Sequence, residues 1–295
     1  MKKDYGILDG LRVIVLAEDS VLYESPYLGQ HGISLLIEVN AGGEKKNIMI
    51  DVGQNSMALL YNMKLMNIDP HSIDAIILTH CHYDHTQGVT KILKKIGKKE
   101  IPVIAHPDIF RLNFIDYPFL RHVGVMKSDS KELIEKSGGR LYLTRDPLRV
   151  FPGLVTTGEV KRQTDFEEVG IPLRTITDDG RVIGDAMNDD LSVVGILKNG
   201  LVILTGCSHA GIVNIVKHSI ELTGINRLLA VIGGFHLIEA SQERIRKTVE
   251  ALAQLNVQSI YAGHCTGFKA QVELYKEFGD RFKPLHTGMI LNFSA

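Results

Sequence analysis

The residues best suited to chemistry lie in one short segment, which reads His-Cys-His-Tyr-Asp-His at positions 80–85. Neutral imidazole nitrogens and carboxylate oxygens are ligands that zinc and iron accept. If the segment is extended, His80 and His82 project to the same side, whereas Asp84 and His85 lie beyond the bend and can serve a neighbouring ion. The spacing therefore predicts a site for one or two metal ions.

Further candidate ligands occur near the ends of later apolar runs. Cys207 and His209 lie in the sequence TGCSH, and His264 lies in GHCTG. A thiolate at Cys207 could bind a borderline or soft metal ion. Asp190 is another candidate, and the sequence leaves open whether Cys207 or Asp190 is a ligand.

Two more histidines, His106 and His236, follow predicted strands. We expect them to contact substrate or to orient a ligand. The other histidines have no such context, and we interpret them as structural or surface residues: His31, His71, His122, His218 and His286.

Alternating strands and helices must position these side chains. Apolar, β-branched runs bounded by turn residues predict strands at 11–17, 33–39, 47–51, 75–79, 101–106, 192–197, 201–206, 228–234 and 259–264. Apolar residues at helical spacing predict helices at 56–68, from Thr86 or later to Gly97, at 211–222 and at 241–255.

An internal similarity predicts the architecture. The order strand, glycine-containing hairpin, strand, polar loop and helix occurs once from residue 33 and again from residue 192. Two such halves predict one α/β domain over residues 1–295, an αββα sandwich with the metal site at one edge of the sheets. The weakly patterned region at about 108–180 is expected to be an insertion or cap.

Composition narrows the classes of function. Lys and Arg total 33 and Asp and Glu total 34, so no global charge favours nucleic acid or a membrane surface. An apolar signal sequence or membrane span is not expected, and the three cysteines do not suggest a disulfide framework. We therefore expect a cytoplasmic protein with a small-molecule substrate, and the oligomeric state stays open.

These motifs resemble the metallo-β-lactamase superfamily. The resemblance lies in the Asp51-Val52-Gly53 turn, the HxHxDH loop and the late histidine in GHCTG. It implies that Asp51 supports the metal loop from behind, with a turn or helix cap as the alternative. It also implies that His264 is the final ligand histidine. We expect His80 and His82 to bind one ion, and Asp84, His85 and His264 to bind the other.

Two positions depart from the superfamily pattern. The segment 187–192 holds no histidine where many members have a ligand, and Cys207 stands where members have a bridging aspartate. We expect Cys207 and His209 to replace these ligands.

The segments GCSHAGIVNI, GGFHL, HGISLLIE and GHCTG resemble a narrower branch. That branch contains dihydropterin-methyl-aminobenzene ribofuranoside phosphate synthases and metal-dependent hydrolases. The resemblance implies an enzyme with one or two divalent ions, zinc first, with iron or manganese as alternatives. Its substrate would carry phosphate or pyrophosphate, and Asp84 would be catalytic, in hydrolysis or in metal-assisted displacement. The alternative is an iron-containing redox or electron-transfer protein on the same fold.

Overall fold

The structure is a computed structural model that describes residues 4–294. It contains two large sheets packed face to face, with helices on both outer sides. The first sheet has the strand order β18 (Ile290–Ser294), β1 (Gly10–Ala17), β2 (Ser34–Ala41), β3 (Glu44–Ile50), β4 (Ala75–Ile77), β5 (Ile101–Ala105) and β8 (Gly139–Leu143).

The second sheet repeats the pattern with the later half of the chain. Its strand order is β17 (Phe282–Pro284), β16 (Ser259–Gly263), β15 (Leu228–Gly234), β14 (Gly200–Leu204), β13 (Val193–Leu197), β10 (Leu154–Thr156) and β9 (Arg149–Phe151). Each half has an antiparallel hairpin, β2–β3 or β13–β14, whose second strand begins a run of parallel strands. The predicted similarity of the two halves is therefore confirmed.

Helices cover both outer faces because each parallel connection must cross over a sheet. The helices are α1 (Ser56–Leu65), α2 (Tyr83–Thr86), α3 (Val89–Ile96), α4 (Lys131–Lys136), α5 (Ile212–Thr223), α6 (Gln242–Gln254) and α7 (Phe268–Phe278). Short 3-10 turns lie at Pro70–Ser72, Pro107–Phe110, Lys127–Asp129, His264–Thr266 and Gly279–Arg281. None of the helices within residues 4–294 has the length and apolar character to cross a bilayer.

Three apolar cores hold the layers together. The central core lies between the sheets and contains Val13 and Ile37 from the first and Val202 and Ile232 from the second. One outer core packs α1 and α3 against the first sheet, and the other packs α5, α6 and α7 against the second. This layering confirms the αββα sandwich.

The helix predicted to begin at or after Thr86 corresponds to α3, and a further short helix that the sequence did not predict precedes it. A one-turn helix, α2, already begins at Tyr83, directly after the extended residue His82. Gly88, with φ of 97°, then separates α2 from α3. A left-handed residue interrupts a helix, and glycine adopts it without steric cost. Helix α3 ends, as expected, at a left-handed Gly97.

The predicted insertion at about 108–180 contains elements of all three sheets. Strand β8 extends the first sheet, and β9 and β10 extend the second. A separate four-stranded sheet, called here the cap sheet, has the order β12 (Val182–Gly184), β11 (Leu173–Ile176), β6 (Phe114–Ile115) and β7 (Arg121–His122). The boundary of an insertion stays a prediction.

Candidate metal centre

The candidate ligands meet at one edge of the sandwich. His80 follows β4, Cys207 follows β14, His236 follows β15 and His264 follows β16. These strands belong to parallel runs, whose carboxyl ends lie at the same edge of a sheet. Because the sheets pack face to face, both halves deliver side chains to one place.

Asp84, His85, Cys207 and His264 form the first group, and their ligand atoms all lie within 4.8 Å of one another. His85 Nε2 is 3.1 Å from Cys207 Sγ and 3.3 Å from Asp84 Oδ2. His264 Nε2 is 3.2 Å from each of the same two atoms. Four donor atoms of the types that zinc binds therefore converge on one point.

Carboxylates behind the two histidines orient them. His85 Nδ1 donates to Asp51 Oδ2 at 2.7 Å, and His264 Nδ1 donates to Asp19 Oδ2 at 2.7 Å. Asp51 also accepts from the Thr79 amide at 2.8 Å, which fixes the start of the ligand loop. With Nδ1 occupied, Nε2 of each ring faces the group, as is usual for histidine ligands.

The surroundings of this group favour positive charge. Burial lowers the pKa of His85, but the Asp84 and Asp51 carboxylates outweigh burial and raise it to about 9. Burial likewise opposes protonation of His264, but Cys265, Asp19 and Asp84 raise its pKa well above its usual range. A site that stabilises a proton this strongly also favours a metal cation in its place.

His80, Cys207 and His209 form a second group within 4.8 Å of one another. His82 borders it, with Nδ1 3.2 Å from His209 Nε2. The Thr79 hydroxyl donates to Asp51 at 2.7 Å and lies 3.0 Å from His80 Nδ1, so His80 Nδ1 is the donor. His80 Nε2 is then a buried acceptor without a protein partner.

The surroundings of His80, His82 and His209 favour the neutral imidazole. Burial and the neighbouring histidines lower the pKa of His80 and of His209 well below the usual value. Burial lowers the pKa of His82 to about 4. Neutral imidazoles with buried, unpartnered nitrogens are suited to hold a metal ion, and the residues of both groups fit a pair of divalent ions.

Cys207 is common to both groups, and Gly206 makes its position possible. A Cβ at Gly206 would lie 2.3 Å from Thr79 Oγ1, 2.9 Å from Asp51 Oδ2 and 3.1 Å from His85 Nδ1. Only glycine leaves room for the second half to approach the ligand loop this closely. The sequence TGC therefore brings the thiol to the point between the two groups.

His236 and Cys265 lie beside Cys207, and the ligand atoms of the three are within 4.8 Å of one another. The His236 ring is 4.1 Å from the His209 ring, and its Nδ1 is buried without a partner. His236 thus borders the centre, where we expected a group that contacts substrate or orients a ligand.

The structure does not bring His106 to this centre. Its Nε2 lies 2.9 Å from Glu159 Oε1, and its Nδ1 accepts from the Asp108 amide at 3.1 Å. Asp190 is nearer, with Oδ1 4.0 Å from His80 Nδ1, and Oδ2 accepts from the Ala210 amide at 2.7 Å. Burial raises the pKa of Asp190 to about 7. Metal binding by Asp190 and by the residues of the two groups stays a prediction, and so does the contact with substrate expected of His106.

A cavity of about 570 Å³ opens onto the two groups. The second sheet contributes its ligand side chains and the cap sheet contributes apolar side chains. The lining comprises Asp19, His31, His82, Tyr83, Asp84, Ile115, Tyr117, Pro118, Arg121, Val123, Ile171, Pro172, Leu173, Cys207, His209, His236, Ile238, Glu239, His264 and Cys265.

His31 and Asp19 also line this cavity, although no motif in the sequence indicated them. His31 Nδ1 is 3.0 Å from Asp19 Oδ1, and His31 Nε2 is 3.6 Å from Asp84 Oδ2. The dipeptide His31-Gly32 was the feature of the sequence that could have indicated a close approach to the ligand loop. Gly32 has φ of 106°, and a Cβ there would overlap the Asp84 carbonyl, so this glycine allows the chain to pass against the ligand loop.

Comparison with known proteins agrees with this geometry. The family model for the metallo-β-lactamase superfamily matches residues 31–179. A protein of Methanocaldococcus jannaschii named 7,8-dihydropterin-6-methyl-4-(β-D-ribofuranosyl)-aminobenzene-5′-phosphate synthase is 46% identical over 295 residues, with 99% of this chain and 100% of the relative covered. An uncharacterised protein of the same organism is 33% identical, with 95% and 99% covered.

A solved structure shares the architecture. The crystal structure of a metal-dependent hydrolase of the β-lactamase superfamily has a TM-score of 0.79 and 25% identity, with 97% of this chain and 100% of that chain covered. The family model spans half of the chain, and the synthase aligns along its whole length. The chain is therefore an enzyme, and it belongs to the metallo-β-lactamase superfamily.

Proposed function

We propose that this enzyme is a metal-dependent transferase that joins a dihydropterin-6-methyl group to the amine of an aminobenzene ribofuranoside 5′-phosphate, with loss of diphosphate. The full-length relative at 46% identity is named for this product. The proposal includes one or two divalent ions, zinc in the first place. It also includes ligands from both groups: His80, His82, Asp84, His85, Cys207, His209 and His264.

The observation that carries the proposal is the mixed lining of the cavity. It combines candidate ligands with apolar and aromatic side chains, among them Tyr83, Tyr117, Ile115 and Leu173. A volume of about 570 Å³ lies within the range of small-molecule sites. Flat rings such as those of a pterin and an aminobenzene can stack against these aromatic side chains, whereas their phosphates suit the metal ligands or a cation.

Arg121 is a candidate for that cation. It lies in the cavity lining on β7, and its guanidinium carbon is 5.0 Å from the centre of the Tyr83 ring. Arginine binds phosphate oxygens with two parallel hydrogen bonds. We infer that Arg121 binds a substrate phosphate while Tyr83 supports its side chain.

The reaction forms a C–N bond to the pterin methylene carbon and breaks its C–O bond to diphosphate. When bound, the metal ions supply positive charge that neutralises the departing diphosphate. The amine loses one proton in this displacement. His31 Nδ1 donates to Asp19, so Nε2 is available on the cavity side to accept that proton. Asp84 Oδ2 lies 3.6 Å from the same nitrogen, so its carboxylate would stabilise the imidazolium that forms when His31 takes the proton.

Turnover with the two substrates tests the proposal. The metal-loaded enzyme should form the C–N coupled product, detected by mass spectrometry, with one diphosphate released per product. Diphosphate release should require the amine, and chelator treatment or His82→Ala should abolish it. Release at the same rate without amine, or turnover only of a phosphodiester, thioester or lactam, would instead identify a hydrolase.

A further inference from the structure

We propose that Asn113 is a positioning residue that fixes which ring nitrogen of His82 faces the metal centre. Asn113 directly precedes β6 of the cap sheet, and its Oδ1 lies 3.2 Å from His82 Nε2. The inference rests on the metal binding by His82 proposed above. It extends that proposal from the ligands to a buried chain of side chains that holds one of them.

The orientation of the Asn113 amide follows from its other neighbours. Asn113 Nδ2 lies 2.7 Å from Asp185 Oδ2 and 3.5 Å from Met187 Sδ. The Met187 sulfur can only accept a hydrogen bond, and the same is true of the Asp185 carboxylate when it is ionised. The NH2 group must therefore face Asp185, and the carbonyl oxygen must face His82.

Arg111 keeps Asp185 ionised. Its Nε and Nη2 lie 2.6 and 3.0 Å from the two carboxylate oxygens, which is a bidentate contact. Burial alone raises the pKa of Asp185, but the Arg111 hydrogen bond and charge outweigh it and the net shift is downward. An amide flip would turn the Asn113 oxygen toward this carboxylate, which is unfavourable in a buried site.

The tautomer of His82 is then determined. Because Asn113 Oδ1 can only accept, His82 Nε2 must carry the hydrogen, and the neutral ring has its lone pair on Nδ1. His82 Nδ1 is the atom that lies 3.2 Å from His209 Nε2, inside the second ligand group. The hydrogen-bond chain from Arg111 through Asp185 and Asn113 therefore directs the metal-binding lone pair of His82 toward His209.

The same arginine also holds the backbone of the ligand loop. Arg111 Nη2 is 2.8 Å from Asp189 Oδ1, and Asp189 Oδ2 accepts from the Cys81 amide at 2.8 Å. Cys81 lies between His80 and His82 in the chain. Two sets of contacts therefore run from Arg111 to the ligand loop. One passes through Asp185 and Asn113 to His82, and the other passes through Asp189 to the Cys81 amide.

The test compares Asn113→Ala with the matched variant Asn62→Ala. Asn62 is also fully buried and bonds to the carbonyls of Leu16 and Leu28, without contact to His82. For each variant we would measure the zinc affinity by chelator competition, the Co2+ absorption spectrum, and the His82 tautomer by long-range 1H–15N NMR of the metal-free protein. His82→Ala identifies the NMR signals of His82.

The wild type should show the Nε2–H tautomer at His82. Asn113→Ala should populate both tautomers, weaken one zinc site about 10- to 100-fold and change the Co2+ spectrum. Asn62→Ala should lower thermal stability without these changes. An unchanged tautomer and affinity in Asn113→Ala, or equal losses in both alanine variants, would overturn the inference. If His82→Ala itself keeps full zinc affinity, the proposed metal site fails instead.

Discussion

At the scale of single residues, Cys207 is the most heavily shared side chain of the centre. Among the described residues, four clusters of His, Cys or Asp side chains could hold a metal ion, and Cys207 belongs to three of them. Its sulfur lies 3.1 Å from His85 Nε2 and 3.2 Å from His264 Nε2. A thiolate here would supply a negative charge at the position where the resemblance to the superfamily implies a bridging aspartate.

Replacing Cys207 with serine tests this role through pH dependence. Burial raises the pKa of the Cys207 thiol, so a metal ion must displace a tightly held proton. Zinc affinity should therefore fall as pH decreases, and it should fall more steeply in the wild type than in Cys207→Ser. Chelator competition between about pH 6 and pH 8 measures both slopes. Parallel slopes would mean that Cys207 is not a ligand.

Substituting Arg121 with alanine tests phosphate binding in the cavity. Loss of a charge-assisted contact, about 1.5–3 kcal/mol, should raise KM for the phosphorylated amine about 10- to 100-fold. The KM for the same amine without its phosphate should hardly change. Arg140→Ala is the matched control, because Arg140 also lies over a ring, that of Tyr142, but outside the cavity lining. Equal KM changes for both forms of the amine would contradict phosphate recognition by Arg121.

The site residues that share one motif could be predicted from the sequence. The residues whose roles depend on partners far away in the chain could not. The types and spacing of His80, His82, Asp84 and His85 are local, so the pattern alone indicates a metal site. Asn113 and Asp19 gain their roles only from His82 and His264, which lie far away in the chain. An isolated asparagine or aspartate has no periodic or motif signal that identifies such a partner.

At the scale of elements, the cap sheet supplies part of the lining of the cavity. Its strands and connections contribute Ile115, Tyr117, Arg121 and Leu173 to the cavity lining. The sequence of this region predicted no regular elements, because strands of two to four residues are too short to show a period. Because these residues line the cavity and lie outside the ligand motifs, we expect this region to shape substrate access.

A pair of exposed aromatic residues provides a test of that effect. Tyr117, between β6 and β7, and Phe268, at the start of α7, are each 79% exposed, but only Tyr117 lines the cavity. Tyr117→Ser should raise KM several-fold, since an aromatic contact contributes about 0.5–1.5 kcal/mol, and should leave zinc content unchanged. Phe268→Ser should change neither quantity. A loss of zinc in Tyr117→Ser would show that the cap sheet tip supports the metal centre.

At the scale of the whole molecule, the candidate ligands connect the two halves of the sandwich. His80, His82, Asp84 and His85 come from the first half, and Cys207, His209 and His264 come from the second. The two-half architecture itself was predictable, because each half repeats the same order of hairpin, loop and helix. The sequence contained no sign that the last strand, β18, returns to the first sheet.

Metal removal should therefore lower the stability of the whole fold. A ligand that binds only the folded state stabilises it by about 2.7 kcal/mol at 100 times its Kd, so Tm should rise with free zinc and fall with chelator. His82→Ala should reduce this zinc-dependent increase in Tm. His106→Ala should lower the starting Tm through its lost contact with Glu159 but keep the increase. Calorimetry measures both, and a Tm independent of zinc in the wild type would contradict metal binding across the halves.

The pairing of β18 with β1 also has a consequence for the order of folding. Their register runs from Gly10 beside Ser294 to Ile14 beside Ile290, so almost the whole described chain separates the two strands. Such non-local contacts form late, because loop closure must precede them. Until then β1 keeps an unpaired edge, which can pair with another partly folded molecule. Pairing of β18 with β1 within one chain therefore competes with the association of two partly folded chains. The refolding yield should then depend on protein concentration.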